Sequence, residues 1–292
     1  MATTLSLRQE CRGGPLRADV EASRDLHGFN RLTILIHGFN NDQCDAWKAY
    51  DGFASLPAVG DGQVVAAFGE LCEFFWPGDS PTLSGASYPF EIRRAIASGA
   101  RLYGFLKRLA ARRLAPVDVQ LVCHSLGCRV ALELFRAYVN DGRPPTIRFA
   151  RVLLMAAAVK VSMVQDPRAL KPAAAACRLS RVLYSKADAV LQWAFPSGEF
   201  LAGEGFGTAV GRFGEPASGT WDSRADMGRY GHGDYWRLDA TGPQVKAWLG
   251  LAVARALNDR TLPDAPLPLP ARPGGRTLLA REVGTTRPAC GC

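Results

Sequence analysis

Three short stretches of this chain carry residue types that can do chemistry together. In Val122-Cys123-His124-Ser125-Leu126-Gly127 a serine stands where an apolar run gives way to an amphipathic one. A strand that turns sharply into a helix lifts such a hydroxyl above the sheet edge and holds it at the helix N-terminus. The residues two before and two after it must be small, because the turn brings their backbones together. Gly127 meets that condition; Cys123 is small but carries a Cβ. A serine hydroxyl is a poor nucleophile until a base takes its proton. The chain has four histidines. His27 precedes the first clear strand, His37 belongs to the loop after it, and His124 adjoins the serine and points away from it. His232, in Gly231-His232-Gly233-Asp234-Tyr235-Trp236, is left as the base. Attack on a carbonyl creates an oxyanion that needs donors fixed in advance. One is the backbone N–H of Leu126, directly after the serine. The other is that of Phe39, in His37-Gly38-Phe39-Asn40-Asn41.

The two motifs together resemble the α/β-hydrolase fold family, over roughly residues 30 to 258. With Trp76-Pro77-Gly78-Asp79 added, they look like a group of esterase/lipase-like hydrolases. The family's pattern has glycine where this chain has Cys123. The resemblance implies a chain order of serine, acid, histidine. It also points to an acid placed after a strand, between Ser125 and His232. Asp188, following Arg181-Val182-Leu183-Tyr184 and a polar turn, resembles the family's acid loop. Its work would be to hold the histidine tautomer and stabilise the imidazolium. Asp166, after the preceding strand, is the alternative; Asp222, Asp226 and Asp234 fit less well.

Such side chains must be positioned by something rigid. Apolar runs at residues 32–37, Leu71 to Trp76, Val117 to Cys123, Arg151 to Val159 and Arg181 to Tyr184 read as strands buried on both faces. Between them, Trp47 to Leu56, Phe90 to Leu114 and Leu126 to Val139 have helical spacing, and Gln244 to Leu257 reads as a closing helix. Alternation of this kind predicts an α/β fold: a mostly parallel sheet with helices on both faces, its site at the carboxyl ends of the strands. Residues 1–258 make the expected domain. Residues 196–220 are rich in glycine and read as a loop, and 259–292, with Pro263, Pro266, Pro268, Pro270 and Pro273 followed by a Gly274-Gly275 pair, as a short irregular tail. His124, Trp76, Trp193 and Tyr235 are candidates to line an acyl or alcohol pocket, with Phe195 and Trp236 beside them.

The bulk numbers narrow the function classes. Hydrophobic residues make up 48% of 292 residues, enough to cover both faces of a sheet. No apolar stretch is long enough to span a bilayer, and the N-terminal residues lack a signal-peptide pattern, so a cytoplasmic protein is expected. The net charge of +8 comes from arginine, since only six of 35 basic residues are lysine. The densest cluster, Arg101, Lys107, Arg108, Arg112 and Arg113, reads as a solvated helix face, and no nucleic-acid partner is expected. Eight cysteines show neither zinc-ligand spacing nor a disulfide framework, so no metal is implied. No organic cofactor is implied either. The expectation is hydrolysis of an ester or related acyl bond in a small-molecule or lipid-like substrate, through an acyl-enzyme on Ser125. Acyl transfer from the same intermediate and a non-catalytic binder on the same scaffold are the alternatives.

Overall fold

Uninterrupted apolar runs make strands that a parallel sheet can bury on both faces. In the computed structural model, which describes residues 2–79, 87–217 and 219–251, such runs form the centre of the sheet. The strands are β1 (Thr3–Arg8), β2 (Leu16–Ala22), β3 (Arg31–Ile36), β4 (Glu70–Phe75), β5 (Val117–His124), β6 (Ile147–Met155), β7 (Leu179–Tyr184) and β8 (Ser223–Asp226). Among the described residues they join in one eight-stranded sheet of order β2-β1-β4-β3-β5-β6-β7-β8. Only β2 runs antiparallel, on β1; every other pairing is parallel.

The helices are α1 (Gln43–Ala54), α2 (Gly62–Phe68), α3 (Tyr88–Ala111), α4 (Gly127–Asn140), α5 (Val161–Gln165), α6 (Lys171–Ala174), α7 (Phe195–Leu201), α8 (Val210–Phe213) and α9 (Thr241–Leu249). One group, α3, α4 and α6, covers one face; α1, α2 and α9 cover the other. β5 lies under both, and its buried Leu121, Val122 and Cys123 anchor the core. Gln120, buried among them, is satisfied by Thr33 Oγ1 at 3.2 Å and the Ala67 carbonyl at 2.8 Å, as a buried amide must be.

The expected strands appear, the fourth displaced toward the N-terminus: it starts at Ile147 and ends at Met155. Three further strands were not expected. β2 inserts one buried residue, Val20, among charged neighbours, and β8 reads Ser-Arg-Ala-Asp. Outer strands bury little and need no apolar run. The glycine-rich region expected to be a loop contains α7 and α8. α9 ends at Gly250, whose φ of 75° closes it. The rest of the expected closing helix, and the tail 259–292, lie outside the described residues.

Three members of the basic cluster, on α3 and just after it, have partners. Arg108 pairs with Asp19 at 2.9 Å, Lys107 with Asp141 at 2.7 Å, and Arg113 donates to Asn30 at 2.6 Å. Cys11, Cys72, Cys123, Cys128 and Cys177 are free thiols. Cys44 is disulfide-bonded, which the cysteine spacing did not suggest. Among the described residues no helix is long and apolar enough to cross a membrane.

Candidate active site

β5 ends at His124 and α4 begins at Gly127, so only Ser125 and Leu126 make the turn. Ser125 takes φ 54°, the left-handed region that costs an L residue about 1–2 kcal/mol. Its backbone is held on both sides: its N–H donates to the Met155 carbonyl at 3.0 Å and its carbonyl accepts from Ala158 N–H at 3.2 Å. Gly127 explains why a small residue is required there. A Cβ would stand 2.3 Å from the His37 carbonyl oxygen and 2.7 Å from that of Ile36. Gly38 is equally constrained, since a Cβ would meet Ser125 Cβ at 2.8 Å. The loop after β3 therefore packs directly on the elbow. Cys123, two before the serine, is accommodated in full burial.

The structure brings Ser125, His232 and Asp188 together. His232 Nε2 lies 2.8 Å from Ser125 Oγ, and its Nδ1 lies 2.8 Å from Asp188 Oδ2. A carboxylate oxygen accepts, so Nδ1 carries the proton and Nε2 is left to accept from the serine hydroxyl. Asp188, fully buried, follows β7; its other oxygen accepts from Leu191 N–H at 3.0 Å. Asp166 is elsewhere, exposed, accepting from Arg168 N–H at 2.8 Å. Asp222 accepts from Ser180, Asp226 from Gly228, and Asp234 from Gly231 and Arg237.

The loop that carries Phe39 is braced by the Trp76-Pro77-Gly78-Asp79 segment. The Trp76 ring stacks on His37 at 5.5 Å and donates from Nε1 to the His37 carbonyl at 3.0 Å. Asn40 N–H donates to the Gly78 carbonyl at 2.8 Å. Asp79 pairs with buried Arg8 at 2.6 Å, and Arg8 also donates to the Asn41 carbonyl at 2.5 Å. Burial, then Arg8, hold the His37 pKa down to about 3, so this imidazole stays neutral.

A cavity of about 680 Å³ opens beside Ser125. Phe39, Tyr88, Leu191, Phe195, Leu201 and Trp236 give it apolar walls, and His124, Ser125 and His232 reach its floor. Of the aromatic candidates, Phe195 and Trp236 line it. Trp76 is buried behind the β3 loop, and Tyr235 is buried in the core. Trp193 is 70% exposed and outside the lining. These corrections share one cause: proximity in sequence to a strand end does not set which way a side chain turns. Tyr88, Leu191 and Leu201 had no local signal, because packing of α3 against α7 and the turn of residues Val190–Ala194 before it brings them here. Leu126, directly after Ser125, is buried. Among the described residues no group of three or more His, Cys, Asp or Glu side chains is placed to hold a metal ion.

The mostly parallel sheet, the elbow after its central strand and the helices on both faces fit the α/β-hydrolase fold. No family model matches the chain, and no curated protein matches its sequence. Among solved structures, the lin2722 gene product of Listeria innocua is similar at 11% identity and a TM-score of 0.42, over 77% of this chain and 96% of that one. The mature lipase BlEst2 of Bacillus licheniformis is similar at 13% identity and a TM-score of 0.39, over 81% of this chain and 96% of that one.

Proposed function

We propose that the chain is a serine hydrolase that cleaves an ester or related acyl bond. The observation that carries this reading is the relay of two 2.8 Å contacts, Ser125 Oγ to His232 Nε2 and His232 Nδ1 to buried Asp188. In this reading His232 takes the hydroxyl proton as Ser125 Oγ attacks the acyl carbon. The oxyanion is met by the N–H groups of Leu126 and Phe39, on two segments already in contact. The tetrahedral intermediate collapses as His232 passes the proton to the leaving alkoxide, and an acyl-enzyme remains. Water then attacks the acyl carbon, gives its proton to His232, and the acid leaves as Ser125 recovers its hydrogen. Asp188 holds the imidazole in one tautomer throughout. The apolar cavity supports a small-molecule or lipid-like acyl group as substrate.

The test combines a fluorophosphonate probe with p-nitrophenyl esters of rising chain length. Wild type should label covalently and turn over esters. Ser125→Ala and His232→Ala should each lose ~10⁴-fold or more in kcat. Wild type that neither labels nor hydrolyses any ester, or labelling that survives Ser125→Ala, overturns the reading.

A further inference from the structure

His124 precedes the nucleophile, yet its ring reaches a segment 108 residues further on. Its Nε2 lies 2.6 Å from the His232 backbone carbonyl oxygen, and the two imidazoles stand 4.9 Å apart. A carbonyl oxygen can only accept, so His124 carries its proton on Nε2. Its Nδ1 is then bare, buried and without a hydrogen-bond partner. That nitrogen abuts the β3 loop: a Cβ on Gly38 would stand 3.2 Å from it. A second proton on this ring would find no acceptor. Burial first, then neighbouring His232, lower its pKa to about 3. His124 is thus a neutral donor aimed at one atom.

The recipient of that bond needs it. His232 sits between Gly231 and Gly233, two residues with no side chain to limit their backbone. The loop is tied on either side. Ser185 Oγ lies 2.9 and 2.8 Å from the Gly228 and Tyr230 carbonyl oxygens, which share its one hydrogen, and Gly231 N–H donates to Asp234 at 2.8 Å. The peptide of His232 itself is held from His124.

The geometry assigns His124 as a positioning residue that fixes the main chain of His232, so that its imidazole spans Ser125 and Asp188 together. This rests on the serine-hydrolase reading above. One hydrogen bond ties the nucleophile's own strand to the base's loop, and a shift in one is carried to the other. Two contacts of 2.8 Å leave little tolerance, and a misplacement of about 1 Å can cost ~10²-fold in rate.

The test compares His124→Phe, which keeps a ring and loses the donor, with His124→Gln, whose amide reaches near the former Nε2. For each, kcat and KM on a p-nitrophenyl ester, the rate of fluorophosphonate labelling and thermal unfolding are measured. In His124→Phe, kcat and labelling rate should fall ~10–100-fold while KM stays within about twofold. His124→Gln should recover most of the loss. His124→Asn, with the same amide held too short to reach, should be as slow as His124→Phe; this pair decides the matter even if the phenylalanine variant unfolds. A wild-type kcat in His124→Phe or His124→Asn, a rise in KM with kcat unchanged, or a glutamine variant as slow as the asparagine one overturns the assignment. Ser125→Ala is the control. If it abolishes labelling while all three His124 variants behave as wild type, only the role of His124 fails. If wild type never labels, the hydrolase reading fails first.

Discussion

The two sides of the cavity are built by different physics. On the side of Ser125, backbone meets backbone: the β3 loop, the elbow and the segment after β4 touch so closely that Gly38 and Gly127 have no room for a Cβ. The opposite side runs from Val190 to Phe206, through a π-helical turn and α7. It exposes Val190, Trp193, Phe200, Leu201 and Phe206. Its inner anchor is polar: Tyr88 donates to Glu199 at 3.0 Å, Glu204 meets Arg129 of α4 at 3.3 Å, and Lys160 donates to the Glu204 carbonyl. Chemistry that depends on tenths of an ångström would sit on the side fixed by backbone packing. The side that would hold an acyl chain is kept in place by side chains that titrate.

Four substitutions test that contrast. The largest effect belongs to Asp188→Asn, which should lower kcat by ~10⁴-fold through the wrong histidine tautomer. Asp166→Asn should stay near wild type in the same ester assay, because Asp166 is exposed and bonded only to its own turn. The reverse pattern would move the acid away from β7.

Gly127→Ala comes next. Its Cβ would press on two carbonyl oxygens of the β3 end, a backbone contact that no rotamer change relieves. We expect a loss of about 1–3 kcal/mol in denaturant unfolding, as for other overpacked sites, together with a fall in kcat as the elbow shifts. Unchanged stability and turnover would show that the two backbones can part without consequence.

The smallest effect is at Glu199, and it is a matter of pH. Burial first, then neighbouring Glu204, push its pKa up to about 8 from the ordinary 4.5. Burial is the largest influence on Glu204 and opposes its charge, but Arg129, Glu199 and Lys160 together outweigh it and the Glu204 pKa is lowered. Between 4.5 and 8 the fold binds a proton at Glu199 that the unfolded chain has released. Stability must therefore fall as pH rises through that window. Glu91, raised by burial to about 7, acts with the same sign. Glu199→Gln should flatten the decline of Tm with pH without removing the share due to Glu91. A Tm–pH curve parallel to wild type would mean that α7 is not anchored through a protonated Glu199.

The readable parts of this molecule were those written in consecutive residues. The strands at the sheet centre are continuous apolar runs, and the elbow is a serine caught between an apolar strand and an amphipathic helix. β2 and β8 escaped because outer strands bury too little to leave a pattern, as Ser223-Arg-Ala-Asp226 illustrates; β1, paired with β2 and β4 and burying Leu5 and Leu7, alternates apolar and polar residues and so forms no continuous apolar run. Residues 196–220 misled because glycine suggests a loop, whereas α7 holds Gly198 against the Tyr88 ring. Trp76 and Tyr235 are pocket candidates as aromatic residues near the motifs, but each turns inward, one to stack on His37 and the other into the core.

Residue identity alone named the serine, left one histidine of four as a plausible base, and required small residues around the turn, because these follow from bond chemistry and local sterics. Choosing between Asp188 and Asp166, seating Tyr88 and Leu201 beside the cavity, and tying His124 to the loop of His232 were decisions of the tertiary structure. Each depends on segments distant in the chain meeting at a few ångströms, and only the packing of helices on the sheet sets those distances.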